Sequence, residues 1–304
     1  MQMQNDRQEM ARRIQRDLGY LAALDQSGGS TPSALAMYGV SPSAYSTEEE
    51  MFAAMHAMRC RIMKAPAFSG KQVLGAILFD RTMDALVDGI SVPEFLWQKR
   101  RIVPFVKIDQ GLLAEAQGVQ MMRPLTNLET LLERASALGV YGTKARSVIH
   151  SADKVGIAAV VEQQMFYAER VLAAGLTPIL EPEVAVQSHE KAAAEQILRD
   201  VLMENIKKLP ESSRILLKIT LPEVPNHYEK LNSDQRVLRV VALSGGYSLE
   251  DACKRLAQNE GMVASFSRAL LDRLRISQDD EAFNAVLQKV SDLIYEASVK
   301  KILH

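Results

Sequence analysis

An α/β fold, closed as a single (β/α)8 TIM barrel, is predicted by three observations. Eight short apolar runs of strand length recur along the chain. Helical patterns separate them, the mark of a parallel sheet. Charged residues then fall in the second half of one run after another, or just beyond it, which in a barrel is the face that carries chemistry. At 304 residues the chain suits one such barrel, so residues 1–304 are read as a single barrel domain with helical extensions at both ends.

The elements follow in order. Residues 1–18 read as a polar helix, with Met10, Ile14 and Leu18 at helical spacing. Tyr20–Asp25 is the first apolar run, closed by a carboxylate and followed by the small-residue loop Gln26-Ser27-Gly28-Gly29-Ser30. A helix is expected over 48–64, where Met51, Met55, Met58 and Ile62 share a face that reads as core. Glu48, Glu49 and Glu50 suit its N-terminus through the helix dipole. Val73–Asp80 is the second run and Ile102–Asp109 the third. The stretch 97–101, Trp-Gln-Lys-Arg-Arg, reads as a solvated helix end. Val140–Arg146 is the fourth run, Leu176–Val184 the fifth and Arg214–Pro222 the sixth. Val237–Leu243, running into Ser244-Gly245-Gly246, and Met262–Phe266, running into Ser267-Arg268, complete the set. Helices are expected over 128–138, 158–174, 192–209 and 249–258, and one or two more over 280–304.

The sixth run organises the chemistry. Lys218 sits where a buried strand should hold only aliphatics. An ammonium there costs several kcal/mol unless it is paired or gives up its proton. A neutral lysine is a nucleophile whose natural partner is a carbonyl, so Lys218 is read as a Schiff-base former with a sugar-phosphate ketone. Burial and the cations Lys107 and Lys144 are expected to favour the free amine. Side chains repeat every second residue along a strand, so Lys107 and Asp109 share a face, as do Lys144 and Arg146, and Glu181 and Glu183. A ring of salt bridges closing the barrel is the plain alternative. Three lysines on three strands, beside two phosphate-friendly loops, argue against it.

Glu181 or Glu183 is the expected proton carrier during carbinolamine formation and dehydration. Asp25 is the expected base for the substrate hydroxyl as the carbon–carbon bond breaks. Ser244, Gly245, Gly246 and Arg268 offer one phosphate site, and Ser27 and Ser30 a second. A metal ion is the other familiar electron sink for this cleavage. The five histidines, His56, His150, His189, His227 and His304, show no ligand spacing, and no Cys-x-x-Cys occurs, so no metal or other cofactor is expected.

These stretches resemble class I fructose-bisphosphate aldolase in its short bacterial form. The matching segments are Ala-Ala-Leu-Asp25-Gln-Ser-Gly-Gly-Ser, Val-Pro-Phe-Val-Lys107-Ile-Asp and Gly-Thr-Lys144-Ala-Arg-Ser. They continue with Ile-Leu-Glu181-Pro-Glu183-Val, Leu-Leu-Lys218-Ile-Thr, Leu-Ser244-Gly-Gly-Tyr and Ala-Ser-Phe-Ser-Arg268-Ala-Leu. The resemblance implies a glycolytic and gluconeogenic lyase, metal-independent, that reversibly splits fructose 1,6-bisphosphate into dihydroxyacetone phosphate and glyceraldehyde 3-phosphate. It implies Lys218 as the Schiff-base lysine, Glu181 as main proton acceptor with Glu183 beside it, and Asp25 as the cleavage base. Lys144 and Lys107 become positioning and phosphate cations. Ser244, Gly245 and Arg268 would hold the ketone-side phosphate, and Ser27 and Ser30 the other. Two departures stand out. The animal enzymes carry a basic residue shortly after the first serine loop, where Ser33 and Ala34 stand here. They also end in a tyrosine that helps protonate the enamine, whereas this chain ends Ile302-Leu303-His304, so that role is unassigned, with Tyr295 or the tail as candidates.

Two other functions compete: another lysine-dependent phosphosugar aldolase or transaldolase, and a non-catalytic phosphosugar-binding scaffold. The two anion sites favour a sugar bisphosphate as ligand. A net charge of −1 argues against nucleic acid or an anionic membrane as partner. No apolar run approaches the ~18–20 residues of a membrane helix, and the polar N-terminus lacks a signal-peptide core. With Cys60 and Cys253 read as reduced thiols, a cytoplasmic location is expected. The family includes tetramers, which leaves a homo-oligomer open.

Overall fold

The computed structural model describes residues 2–302. Its centre is a closed ring of eight parallel strands. These are β1 (Tyr20–Leu24), β2 (Val73–Leu78), β3 (Val103–Lys107), β4 (Gly142–Ile149), β5 (Thr177–Val184), β6 (Ile215–Thr220), β7 (Val237–Leu243) and β8 (Met262–Phe266). Each pairs with its neighbours in sequence, β1 pairs with β8, and the β3–β4 pairing completes the ring. Every predicted run became a strand. The runs are nearly unbroken in apolar residues because strands of such a barrel are covered on both faces, by the interior and by the outer helices.

The principal helices are α1 (Gln2–Arg16), α2 (Ser30–Tyr38), α3 (Glu48–Lys64), α4 (Leu128–Ala137), α5 (Lys154–Ala173), α6 (Lys191–Ile206), α7 (Leu249–Ala257) and α8 (Asp280–Val299). The glutamates opening α3 do more than favour a dipole. Thr47 accepts from the Glu50 amide, and the Glu50 carboxylate accepts in return from the Thr47 amide, a capping box. The methionine face of α3 is core, with Met55, Met58 and Ile62 buried. Three elements differ from the sequence reading. α2 follows the first loop directly, and Val119–Gln120 adds a short antiparallel strand to the end of β4. A hairpin joins Leu86–Val87 to Ile90–Ser91 through Asp88 and Gly89, both at positive φ. At 97–101 the helix end is only partly solvated. Trp97 is buried beneath the Arg101 guanidinium, 3.9 Å from the ring centroid.

The barrel interior is layered. Leu21, Leu74, Ile77, Val103, Phe105, Ile179, Leu216, Val241 and Val263 form its apolar lower part. Met10 and Ile14 of α1 plug this end from below. Arginines fix the plug: Arg7 donates to the carbonyls of Val140, Tyr141 and Gly175, and Arg239 of β7 donates to the carbonyls of Ile14, Gln15 and Asp17 at the end of α1. A helix end that would otherwise leave carbonyls unsatisfied is closed by a cation, the favoured charge there.

Candidate active site

Two residues along β3, β5 and β6 from that apolar layer, the same inward face turns charged. Phe105 is followed by Lys107, Ile179 by Glu181 and Leu216 by Lys218. The period of two therefore stacks a charged layer directly on the packed floor. Above it opens a cavity of about 570 Å³ at the C-terminal ends of the strands. Its walls include Asp25, Ser27, Ser30, Lys107, Lys144, Arg146, Glu181, Glu183, Lys218, Ser244, Gly245 and Arg268. These are all the residues singled out from the sequence except Gly246. That glycine lies beside the wall, where a Cβ would stand 3.4 Å from the Arg268 guanidinium.

The charges are organised around Lys144. Its Nζ lies 2.6 Å from Asp25 Oδ2, 2.8 Å from Glu181 Oε2 and 3.7 Å from Asp109 Oδ2. Glu181 is shared, since its other oxygen, Oε1, lies 3.0 Å from Lys218 Nζ. Lys107 and Lys144 face each other in register across β3 and β4, a repulsive placement on its own. Asp109 resolves it by standing 3.3 Å from Lys107 and accepting from the Arg146 amide. Arg146 in turn lies 2.6 Å from Glu183, and Lys107 donates to Ser27 Oγ at 2.6 Å. Lys144, Glu181 and Lys218 are each under 5% exposed, so water screens these pairs little.

The lysine of β6 thus takes the paired course rather than standing beside cations alone. Its nearest charge is a carboxylate placed to receive its proton. Salt bridges and convergent lysines, weighed as alternatives in the sequence, coexist in one cluster. Burial by itself would raise the carboxyls of Asp25 and Glu181, but Lys144 first, then Lys218, hold both below the ordinary carboxylate range. Burial likewise opposes the Lys144 charge, and Asp25, Glu181 and Asp109 overcome it, raising its pKa. Asp25 and Glu181 are therefore bases at neutral pH, and Lys144 is a fixed cation between them.

The anion-binding loops have different frames. Gly245 adopts φ +60°, and a Cβ there would meet Val186 Cγ2 at 2.4 Å. Only glycine suits that conformation and that gap, which brings backbone to the cavity wall beside Arg268. At the neighbouring β1 exit the Ser27 amide donates to Ser30 Oγ at the start of α2, and Ser30 Oγ donates back to the Ser27 carbonyl. Ser33, Ala34 and Met37 of α2 also line the cavity, so the position held by a base in the animal enzymes is here small and neutral.

Several residues of the site escaped the sequence reading. Gln26, Ser265, Ser267, Leu112 and Leu271 line the same cavity. Parity along β8 was a usable signal for Ser265, two residues beyond the inward Val263. The expectation placed on the chain end is corrected in part. Lys301 donates to the carbonyls of Leu256, Met262 and Ala297, and Met262 begins β8, at the end of the barrel away from the cavity. Tyr295 does not line the cavity, nor does any tyrosine among the described residues. Leu303 and His304 lie outside the described residues. Among the described residues no group of three or more His, Cys, Asp or Glu is arranged to hold a metal ion.

Comparison with known proteins gives a consistent result. A family model described as "Fructose-bisphosphate aldolase class-I" matches residues 8–226. A Synechocystis protein named "Fructose-bisphosphate aldolase class 1" is 47% identical over 292 residues, covering 96% of this chain and 97% of its own. A Porphyromonas gingivalis protein of the same name is 48% identical, covering 96% of this chain and 99% of its own. Among solved structures, a Plasmodium falciparum fructose-bisphosphate aldolase in complex with TRAP and a small-molecule inhibitor superposes with a TM-score of 0.74. That match covers all of this chain and 96% of the other at 19% identity, a likeness of fold.

Proposed function

The chain belongs to the class I fructose-bisphosphate aldolase family, and we propose that it performs the family's reaction through Lys218 as the Schiff-base lysine. The enzyme reversibly cleaves fructose 1,6-bisphosphate to dihydroxyacetone phosphate and glyceraldehyde 3-phosphate. The transaldolase and silent-scaffold readings give way to it.

The observation that carries the assignment of Lys218 is its pairing with Glu181, 3.0 Å away on the floor of the cavity. Glu181 accepts a proton from the lysine, and the freed amine attacks the keto carbon. The carbinolamine oxygen leaves as water on receiving a proton from Glu181 or Glu183, and a protonated imine remains. Asp25 then takes the proton of the hydroxyl next to the bond that breaks. That C–O becomes the aldehyde carbonyl, and the bonding pair moves into the iminium to give an enamine. Lys144, held between Asp25 and Glu181, keeps both carboxylates ionised and oriented. Ser244, Gly245 and Arg268, with Gly246 adjoining, receive the ketone-side phosphate. Lys107, Ser27, Ser30 and Arg146 receive the other end of the substrate.

The same proposal treats residues 1–304 as one barrel domain. In support, α1 closes its floor and Ser298 of α8 accepts from the Ala264 amide of β8. A cytoplasmic setting accords with free Cys60 and Cys253 and with the lack of any described helix long and apolar enough to cross a membrane. The partner proposed is the sugar bisphosphate, with no nucleic acid or membrane, and a homo-oligomer stays open.

Borohydride reduction in the presence of dihydroxyacetone phosphate, followed by peptide mass analysis, tests the central assignment. A reduced triose adduct on the peptide carrying Lys218 is expected. No adduct, or one on Lys107 or Lys144, overturns it.

A further inference from the structure

Arg59 is 1% exposed, yet its guanidinium meets no carboxylate in its hydrogen bonding. It donates to Thr82 Oγ1 at 2.6 Å, to the Gln26 carbonyl at 2.5 Å and, more weakly, to Gln26 Oε1 at 3.4 Å. Burying an arginine whose hydrogen bonds all go to neutral oxygens is costly. Burial pulls its pKa down to about 10, with the Asp25 carboxylate nearby opposing that fall, so the charge persists. A leucine or methionine would fill the space on α3 more cheaply. What the arginine supplies is a planar fork that grips several oxygens at fixed angles.

Those oxygens lie behind the active site. Gln26 stands between Asp25 and Ser27 at the exit of β1. Its amide, with the oxygen facing Arg59, donates to the Ala23 carbonyl and, at 2.6 Å, to Ser267 Oγ. Ser267 immediately precedes Arg268 at the exit of β8. Thr82 lies in the one-turn helix Asp80–Met83 after β2. One guanidinium on α3 thus ties together the exits of three adjacent strands, β2, β1 and β8.

We propose that Arg59 is a positioning residue for the aldol reaction. Through Gln26 it sets the distance between the β1 exit, which carries Asp25 and Ser27, and the β8 exit, which carries Arg268. The two ends of a bisphosphate are gripped from opposite sides of this tether. A shift of the β1 exit also moves Asp25 off the hydroxyl it deprotonates, while Lys218 on β6 stays where it is. This inference rests on the roles given above to Asp25, Ser27 and Arg268.

The test uses Arg59→Met, Arg59→Lys and Ser267→Ala in the full chain, with thermal midpoints measured for each. Both Arg59 variants are expected to lower kcat/KM for fructose 1,6-bisphosphate by about ten- to a hundredfold, the scale of a misplaced catalytic group, with a clear rise in KM. Ser267→Ala leaves the guanidinium in place and is expected to move the same parameters in the same direction by severalfold. The fraction of enzyme trapped by borohydride with saturating dihydroxyacetone phosphate should stay within about twofold of wild type, because Lys218 is untouched. Full activity in Arg59→Lys would show that charge alone suffices and would overturn the proposal. Loss of trapping in step with turnover would mean general collapse of the barrel and would overturn it too. If Arg59→Met fails to fold, wild-type kinetics in Ser267→Ala overturn it independently. A wild-type enzyme that gives no adduct on Lys218 would instead remove the mechanism on which the inference stands.

Discussion

Replacing Lys144 by methionine isolates the charge on which the cluster depends. The shape is nearly kept and the ammonium is lost. In the native cavity four carboxylates, Asp25, Asp109, Glu181 and Glu183, stand with five basic side chains, Lys107, Lys144, Arg146, Lys218 and Arg268. At 2.6, 2.8 and 3.7 Å, the attractions of Lys144 to Asp25, Glu181 and Asp109 are each about 4–6 kcal/mol at an effective dielectric near 20. Most of that gross figure offsets the cost of removing these charges from water. The net loss on deleting one member of such a buried set is about 3–5 kcal/mol, which lowers the thermal midpoint by roughly 5–8 °C in a chain of this size.

The direction with pH is more diagnostic than the size. In the wild type, Asp25 and Glu181 have folded pKa values below their unfolded ones. Their stabilisation is present above about pH 4–4.5 and is lost as pH falls through the lower folded values. Burial is already the strongest influence on both carboxyls and Lys144 its strongest opponent, so deleting Lys144 raises both folded values. The variant is then penalised increasingly as pH rises through the raised values and the protons must leave. The gap in thermal midpoint between wild type and Lys144→Met, followed by circular dichroism at constant ionic strength, should therefore be wider at pH 7.5 than at pH 5. An equal gap at both values, or a wider one at pH 5, refutes the placement of Lys144 as the counter-ion of these two bases.

Other outcomes follow from the same geometry. Ile14→Ala should cost about 2–5 kcal/mol in stability, as a fully buried side chain of the floor, and leave kcat unchanged, which urea unfolding and steady-state assays check together. Gly245→Ala puts a Cβ against Val186 at a positive φ; KM for the bisphosphate should rise about tenfold, with borohydride trapping on Lys218 retained. Cleavage measured in a coupled assay should be unaffected by a strong chelator and abolished in Lys218→Ala. Turnover lost on chelation would move the chemistry to a metal.

The barrel strands were legible because two-sided burial writes itself into a sequence as a run of aliphatics, and charges late in those runs marked the cavity, whereas Arg239 in β7 serves the floor. Lys218 after Leu216, and Glu181 after Ile179, are the clearest cases. The Asp88-Gly89 hairpin escaped the sequence reading, although Asp-Gly between apolar residues is a local turn signal that could have found it. The partner of Lys218 was not legible. Which carboxylate meets which lysine depends on strand tilt and register, and these are set by the whole ring. Arg59 was hidden for a related reason. On a helical face shared with Met55 and Ile62 it looks like an isolated surface charge, and nothing local reveals that it reaches across to Gln26.

The helix that plugs the floor has a consequence for biosynthesis. It is translated before the barrel strands, when its seat does not yet exist: Arg239, which holds its last turn, lies more than two hundred residues downstream. While the chain emerges, this amphipathic segment has nowhere to dock, and its apolar residues await the closing strands. The stopper is made before the ring it closes, so its apolar face can be covered only once the strands that form its seat are in place.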